Sequence, residues 1–257
     1  MKATELVGEG DLHVSLDETD QTAAVELFDA AGVVVMEGIL PKPLIEQCSQ
    51  EWDGMSERID QQLHASGIEL EGRFSFAEVS SRGQGRYDTR HLGGVFADAE
   101  LLNGSAPWWP FVRAIMGQGA VELWKGVVNN RRASGVQNWH RDGEALFDHV
   151  QLPPHCVTVF VPLVDVTEAN GPTEFYPGSH ERKREHYYAG TEEGACHLPT
   201  CAPCLVCGSA LLFDYRLVHR GTANTTDTDR PMLYFVYAQP WFQDVQNFPS
   251  AENLFPP

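Results

Sequence analysis

No apolar run in this chain approaches the length that spans a bilayer, and Met1-Lys2-Ala3-Thr4-Glu5 leads into acidic and polar residues instead of the apolar stretch of a secretory signal. A membrane partner is therefore not expected, and a cytoplasmic location is. Basic side chains are scarce: 18 Lys and Arg stand against 36 Asp and Glu, for a formal net charge of −18. Such a field repels polyanions and argues against nucleic acid as a partner. Internal repeats and low-complexity linkers are also lacking, so residues 1–257 are expected to form a single domain. Six cysteines in an intracellular chain are expected as thiols, not disulfides. The ending Leu254-Phe255-Pro256-Pro257 is not a peroxisomal address. What is present suffices for a sizeable core: hydrophobic residues make up 42% and aromatics 10%.

Helical spacing of Ala23, Ala24, Leu27, Phe28 and Ala31 predicts a helix over 17–31, stopped by Gly32. Val33 to Met36 reads as a buried strand, and Pro41 to Ala65 as a longer helix entered through prolines. Periodicity fails between Ser66 and Gly94, which predicts a long loop of the kind that often covers a site. A short helix and another follow over 97–117, with Trp108 and Trp109 expected in the core. Strands are predicted at 121–128, 156–166, 208–214 and 229–240, with turn residues at 129–135 and 168–172. Pro162 warns of an edge or bulge in the second of these. The pattern is mainly β with N-terminal helices: a helical buttress and loop over 1–118, a jelly-roll core over 119–241 and a tail over 242–257.

The chemistry gathers at Gln137-Asn138-Trp139-His140-Arg141-Asp142-Gly143. Strand side chains alternate, so His140 and Asp142 point to one side and can reach one metal ion. His-x-Asp is common by chance. Its weight here comes from His219, 79 residues on, which can return on a neighbouring strand and close a facial triad of two histidines and a carboxylate. That donor set suits Fe(II) with open positions for an oxidant and a co-substrate. Arg230 adds a cation at the start of the next strand, able to grip a carboxylate with two hydrogen bonds. A salt bridge to Asp227 or Asp229 is the alternative. Arg86, Tyr87 and His91 in the predicted loop, with Arg132 and Gln137 beside the motif, are the candidate substrate contacts, against structural roles.

The segments NWHRDGEALF, GPTEFYPGSH and GSALLFDYRLVHRGTANTTDTDRPMLYFVYAQPWF resemble, in order and spacing, the phytanoyl-CoA dioxygenase family of Fe(II)/2-oxoglutarate-dependent oxygenases. The resemblance runs from about Val121 to Trp241, and the unit ending at Gly38-Ile39-Leu40-Pro41 is similar as well. It implies a double-stranded β-helix, that is, a cupin-like jelly roll. It further implies His140, Asp142 and His219 as iron ligands, Arg230 on the distal carboxylate of 2-oxoglutarate, and O₂ as oxidant. A small hydroxyl residue often assists that arginine in the family. Gly221 stands at the nearest such position here and Thr222 follows, so Thr222 is the residue the resemblance offers beside Arg230 for binding 2-oxoglutarate. Gly171, Pro172, Pro177 and Gly178 are implied to form turns, with His180 a turn histidine and not a ligand. Halogenating relatives replace the carboxylate with a small residue; Asp142 points instead to a hydroxylase or another oxidase, acting on a small molecule with release of succinate and CO₂.

A rival centre is Cys196, Cys201, Cys204 and Cys207 with His197, close enough in sequence to suggest zinc or an iron–sulfur group. Against it, Cys204 and Cys207 lead directly into a strand, where cysteine serves as a small buried hydrophobe. The competing reading of the whole chain is a non-catalytic jelly-roll binding or sensor protein, or a structural zinc protein.

Overall fold

The computed structural model describes residues 12–14, 21–83, 85–90, 92–147, 149–181, 199–245, 247 and 252–255. In chain order, β1 (His13–Val14) precedes α1 (Gln21–Ala31), which ends where predicted. Gly32 follows at φ 78°, and a Cβ there would stand 2.5 Å from His180 Nδ1, so both the left-handed turn and the close approach require glycine. The fully buried β2 (Val33–Met36) and α2 (Lys42–Ala65) also match expectation, with Pro at the first turn of α2.

The predicted loop over 66–94 is the main correction. It holds β3 (Arg73–Ser75), β4 (Val79–Arg82) and β5 (Arg86–Thr89), an antiparallel ladder. Segment 1–118 is therefore not only helices and a loop. After α3 (Val95–Asp98) and α4 (Trp109–Met116) come β6 (Val121–Asn130) and β7 (Cys156–Pro162). Asn129 and Asn130, expected in a turn, complete β6. The strand predicted over 156–166 stops at Pro162, which has no N–H to continue a ladder. The set closes with β8 (Thr173–Phe175), β9 (Ala210–Asp214), β10 (His219–Gly221) and β11 (Arg230–Ala238).

Nine strands form one sheet in the order β1-β2-β9-β7-β11-β6-β5-β4-β3. Facing it, β8 pairs with β10, and isolated bridges add Cys201 beside Phe175 and His140 beside His219. Strand alternation sorts β11 between two layers. Leu233, Phe235 and Tyr237 turn toward the helices, where Phe235 and Tyr237 meet Trp108, Phe111 and Val112. Burial of each large apolar side chain there contributes about 1.5–3 kcal/mol. Trp108 is fully buried and its indole N–H donates to Tyr237 Oη at 2.8 Å, so the tryptophan pair serves the core as expected. Arg230, Met232, Tyr234 and Val236 face the other way, into the space between the sheets. No helix of the described residues is long and apolar enough to cross a membrane.

Candidate active site

The backbone assembles the site before any side chain does. His140 and His219 face each other as an antiparallel pair, the N–H of each donating to the carbonyl of the other at 2.9 Å. Residues so paired project to the same side. His140 Nδ1 lies 2.8 Å from Asn138 O, and His219 Nδ1 lies 2.9 Å from Leu217 O. A carbonyl can only accept, so each Nδ1 carries the hydrogen and each Nε2 presents its lone pair.

Those Nε2 atoms converge on Asp142 Oδ1, at 3.9 Å from His140 and 3.8 Å from His219. All three donor atoms lie within 4.8 Å of one another. The separations are too long for hydrogen bonds and suit three ligands around one ion at roughly 2.0–2.2 Å from each. Burial pushes the His219 imidazole down to about 4, despite the opposing charge of Asp142, so the ring is neutral and able to ligate at neutral pH. Asp142 is itself braced: the amides of Asp142 and Gly143 donate to Tyr215 O at 3.1 and 3.0 Å, and Asn247 Nδ2 donates to Asp142 O at 2.8 Å.

Behind the triad a cavity runs between the sheets. Its walls include Thr158 and Phe160 from β7, Arg86 and Asp88 from β5, and the inward face of β11. Arg230, 1% exposed, donates from Nη2 to Gly171 O at 2.8 Å, while its Nε and Nη1 find no partner among the described residues. Asp229 accepts from Asn129 Nδ2 and from the amide of Arg132, at 2.9 and 3.0 Å, so the alternative of a salt bridge to it is not what the fold builds. Adjacent strand residues point to opposite faces.

The candidate substrate contacts divide. Arg86 and Gln137 stand in the cavity wall, with Gln137 Oε1 accepting from the amide of Gly221 at 2.8 Å. Tyr87 borders the cavity, but its hydroxyl donates to Leu70 O at 2.9 Å and its ring packs on Phe74. Arg132 is exposed and not among the wall residues; its neighbour Arg131 instead pairs with Asp60. Thr222, expected beside Arg230 on 2-oxoglutarate, is outside the wall too, its hydroxyl donating to Pro172 O at 2.8 Å. His91 lies outside the described residues. His180 is buried with Nε2 3.1 Å from Asp29 O, away from the triad's donors, in keeping with a turn histidine.

Sequence reasoning passed over Asp88, Thr158 and Asn247. Tyr234 Oη donates to Asp88 Oδ1 at 2.7 Å, linking two strands across the cavity wall. The signal for Asp88 was its position two residues after Arg86, which strand alternation puts on the same face. Asn247 left no signal, since a tail residue 105 positions from Asp142 meets it only through the fold. In the cysteine-rich segment, Cys201 is buried between the sheets, Cys204 is exposed and Cys207 is partly covered. Cys196 and His197 lie outside the described residues, and among the described ones the His140–Asp142–His219 group is the one set of donors able to hold a metal.

A double-stranded β-helix with two histidines and a carboxylate converging beside its cavity defines the class of non-haem iron oxygenases. Within that class the chain belongs to the phytanoyl-CoA dioxygenase (PhyH) family, whose profile matches residues 28–232. The iron/alpha-ketoglutarate-dependent dioxygenase ausU of Aspergillus calidoustus is 26% identical over 230 residues, 85% of this chain and 71% of that protein. The fold is shared with AviO1 of Streptomyces viridochromogenes, at TM-score 0.63 and 21% identity over 87% of this chain and 97% of that one. HygX of Streptomyces hygroscopicus, solved with nickel, 2-oxoglutarate and hygromycin B bound, superimposes at TM-score 0.58 and 17% identity over 89% of this chain and 94% of its own.

Proposed function

We propose that this chain is an Fe(II)- and 2-oxoglutarate-dependent dioxygenase that hydroxylates or otherwise oxidises a small molecule, with release of succinate and CO₂. In this reading His140, Asp142 and His219 hold the iron, and Arg230 holds the distal carboxylate of 2-oxoglutarate. The observation that carries it is the pairing of a three-donor cluster within 4.8 Å with a buried arginine in the same cavity, two of whose N–H nitrogens have no partner among the described residues. An unpaired buried guanidinium is costly, and a carboxylate supplies what it lacks. The residues fit the groups.

When bound, the iron and 2-oxoglutarate supply oxygen activation coupled to oxidative decarboxylation. The chain contributes position and exclusion of water. Carbonyls of Asn138 and Leu217 fix both imidazoles in the ligating tautomer, and Tyr215 O and Asn247 fix the Asp142 backbone. Met232, Phe160 and Val236 supply the apolar part of an otherwise polar wall and lower the local dielectric, which strengthens the grip of Arg230 on an anion. Asp142 fills the third position around the metal, consistent with oxidation and not halogenation. Hygromycin B in HygX supports a small-molecule substrate for this chain also.

Aerobic incubation of purified protein with Fe(II) and 2-oxoglutarate, followed by quantifying succinate, tests the reading. Succinate above a metal-free control is expected even without substrate, at a slow uncoupled rate, and its absence together with absent 2-oxoglutarate binding would leave a non-catalytic jelly roll.

A further inference from the structure

We propose that Asp88 and Ser80 form the recognition point for a hydroxyl group of the substrate, so that the molecule this chain oxidises belongs to the alcohols and polyols. The assignment rests on the dioxygenase reading above and concerns the substrate, not 2-oxoglutarate.

Three strands cooperate to hold Asp88. Gly126 of β6 is the ladder partner of Tyr234 on β11. A Cβ on Gly126 would stand 2.7 Å from Cε1 and Cζ of the Tyr234 ring and 2.3 Å from Thr89 O, so a bare backbone is what lets that ring lie across β6. The ring carries its hydroxyl to β5, where it donates to Asp88 Oδ1 at 2.7 Å. The second oxygen of Asp88 is left for the cavity. Its side chain is 31% exposed and borders the cavity, and among the described residues Oδ2 accepts no hydrogen bond. Arg90 Nε lies 3.9 Å from Oδ2, near enough to answer its charge and too far to fill its lone pairs.

Ser80 on β4 is the ladder partner of Asp88 and borders the same cavity. Opposed residues on antiparallel strands hold their Cβ atoms about 4.5–5.5 Å apart, so one small group can bridge them. Arg90 Nη2 donates to Ser80 Oγ at 3.4 Å, which leaves the Ser80 O–H to donate. An acceptor and a donor side by side suit a group that both donates and accepts, which a hydroxyl does and an ammonium ion does not. Charge favours the same partner. Burial pushes the Asp88 carboxyl up and the charge of Asp142 adds to it, against the hydroxyl of Tyr234 and the charges of Arg90 and Arg82. A cationic partner needs the carboxyl ionised, whereas a hydroxyl bonds to it in either state.

Position sets this pair opposite the metal ligands and away from Arg230. The row of Arg230 runs through Asn130 to Arg86, whereas Asp88 pairs with Val128 and Val128 with Met232, roughly 6.8 Å along the strands. On the facing side, a Cβ on Gly221 would stand 2.3 Å from Arg86 Nη1, while Tyr215 packs with Tyr234 and Val236. His219 lies between Tyr215 and Gly221 in the chain, so it faces the stretch of wall that Asp88 and Tyr234 occupy. Arg82, two residues from Ser80 on β4, donates to Asn247 Oδ1 at 3.2 Å, and Asn247 Nδ2 donates to Asp142 O at 2.8 Å. Those contacts tie the strand carrying Ser80 to the loop carrying Asp142.

The test is saturation-transfer NMR on protein loaded with Zn(II) and 2-oxoglutarate. The probes are cyclohexane-1,2-diol, 1,2-dimethoxycyclohexane, which cannot donate, and cyclohexylamine, a cation at neutral pH. The diol is expected to bind, and the diether and the amine to bind about 10-fold more weakly or not at all. Exchange of Zn(II) for Mn(II) should broaden the resonances of the diol, which places it beside the metal. Asp88→Asn keeps an oxygen for Tyr234 and presents an N–H donor where the acceptor stood, and it is expected to weaken the diol about 10-fold. Ser80→Ala leaves the Tyr234 bond intact, should weaken the diol less, and carries the test if the asparagine variant does not fold. Diol binding that was unchanged in both variants, equalled by the diether or exceeded by the amine would overturn the proposal. So would a protein that holds Zn(II) and 2-oxoglutarate but no diol, or a bound diol that Mn(II) left sharp. A protein that takes up neither metal nor 2-oxoglutarate would instead remove the dioxygenase reading, and this assignment with it.

Discussion

His140 and His219, 79 positions apart, exchange both of their backbone hydrogen bonds at 2.9 Å, so the spacing of the two imidazoles is set by a ladder and not by the metal. Side-chain replacement leaves that ladder standing. Register, by contrast, is unforgiving: a slip of one residue would send one imidazole to the opposite face.

His219→Ala is accordingly expected to fold while losing the metal. The ring packs against Phe213 and Phe175, at 4.9 and 5.9 Å between centroids, so the variant should lose about 2–4 kcal/mol by leaving a cavity. Anaerobic Fe(II) titration should give one equivalent per chain for the unsubstituted protein and none for the variant, with succinate at background. A variant that retained full succinate formation would remove His219 from the site. Asp142→Gly should likewise lose hydroxylation.

Arg230→Lys should weaken 2-oxoglutarate binding by about 1–3 kcal/mol with iron affinity little changed, because lysine keeps the charge and loses the planar fork. The metal-to-ligand absorption of the Fe(II) complex follows the titration. An unchanged dissociation constant in Arg230→Lys and Arg230→Ala alike would mean that the distal carboxylate is anchored elsewhere.

The strands legible in the sequence are those whose faces are both apolar or cleanly alternating. Val33 to Met36 and Ala210 to Asp214 are buried throughout, and β11 carries its apolar residues on both faces. β4 and β5 were illegible for a physical reason. Their inward residues, Ser80, Arg82, Arg86 and Asp88, line a polar cavity in place of a core, so the alternation that marks a strand is missing from the side where it is expected. The triad could be read because its three residue types are chemically specific and two of them share one strand-like segment. That Arg86 and not Thr222 enters the cavity wall could not, since it depends on Thr222 turning its hydroxyl to Pro172 and on register through Asn130.

Gly171→Ala tests the scaffold behind the anchor. Gly171 sits at φ 88°, and an added Cβ would meet Asn130 Nδ2 at 2.2 Å and Thr222 O at 2.7 Å. The left-handed backbone alone costs about 1–2 kcal/mol for a residue with a side chain. Displacing Asn130 or the carbonyl that receives Arg230 adds to it. A drop in melting temperature together with weaker 2-oxoglutarate binding is expected; a drop in stability alone would separate this turn from the anchor.

The last prediction concerns acid. His155, His180 and His219 are all buried, and desolvation lowers all three below the ordinary histidine value, His219 to about 4. The unfolded chain titrates near 6.5 at each. Above that pH neither state is protonated and the three contribute no pH dependence. Below it the unfolded chain takes up protons that the folded chain refuses, so unfolding gains free energy as the pH falls, until about 4, where folded His219 also protonates. Asp214 extends the loss further down. Burial works to raise its carboxyl, but the hydrogen bonds and charge of Arg216 prevail and hold it below the usual carboxylate range, so its contribution disappears once the solution is acidic enough to protonate it. Urea unfolding of the metal-free protein between pH 8 and pH 4 should therefore be nearly flat above about pH 7 and then fall, with a net proton uptake on unfolding to which these histidines contribute. His180→Asn should lower that uptake. Stability that stayed level from pH 7 to pH 4.5 would show that these histidines titrate in the fold as they do in the unfolded chain, and that burial does not hold His219 neutral in acid.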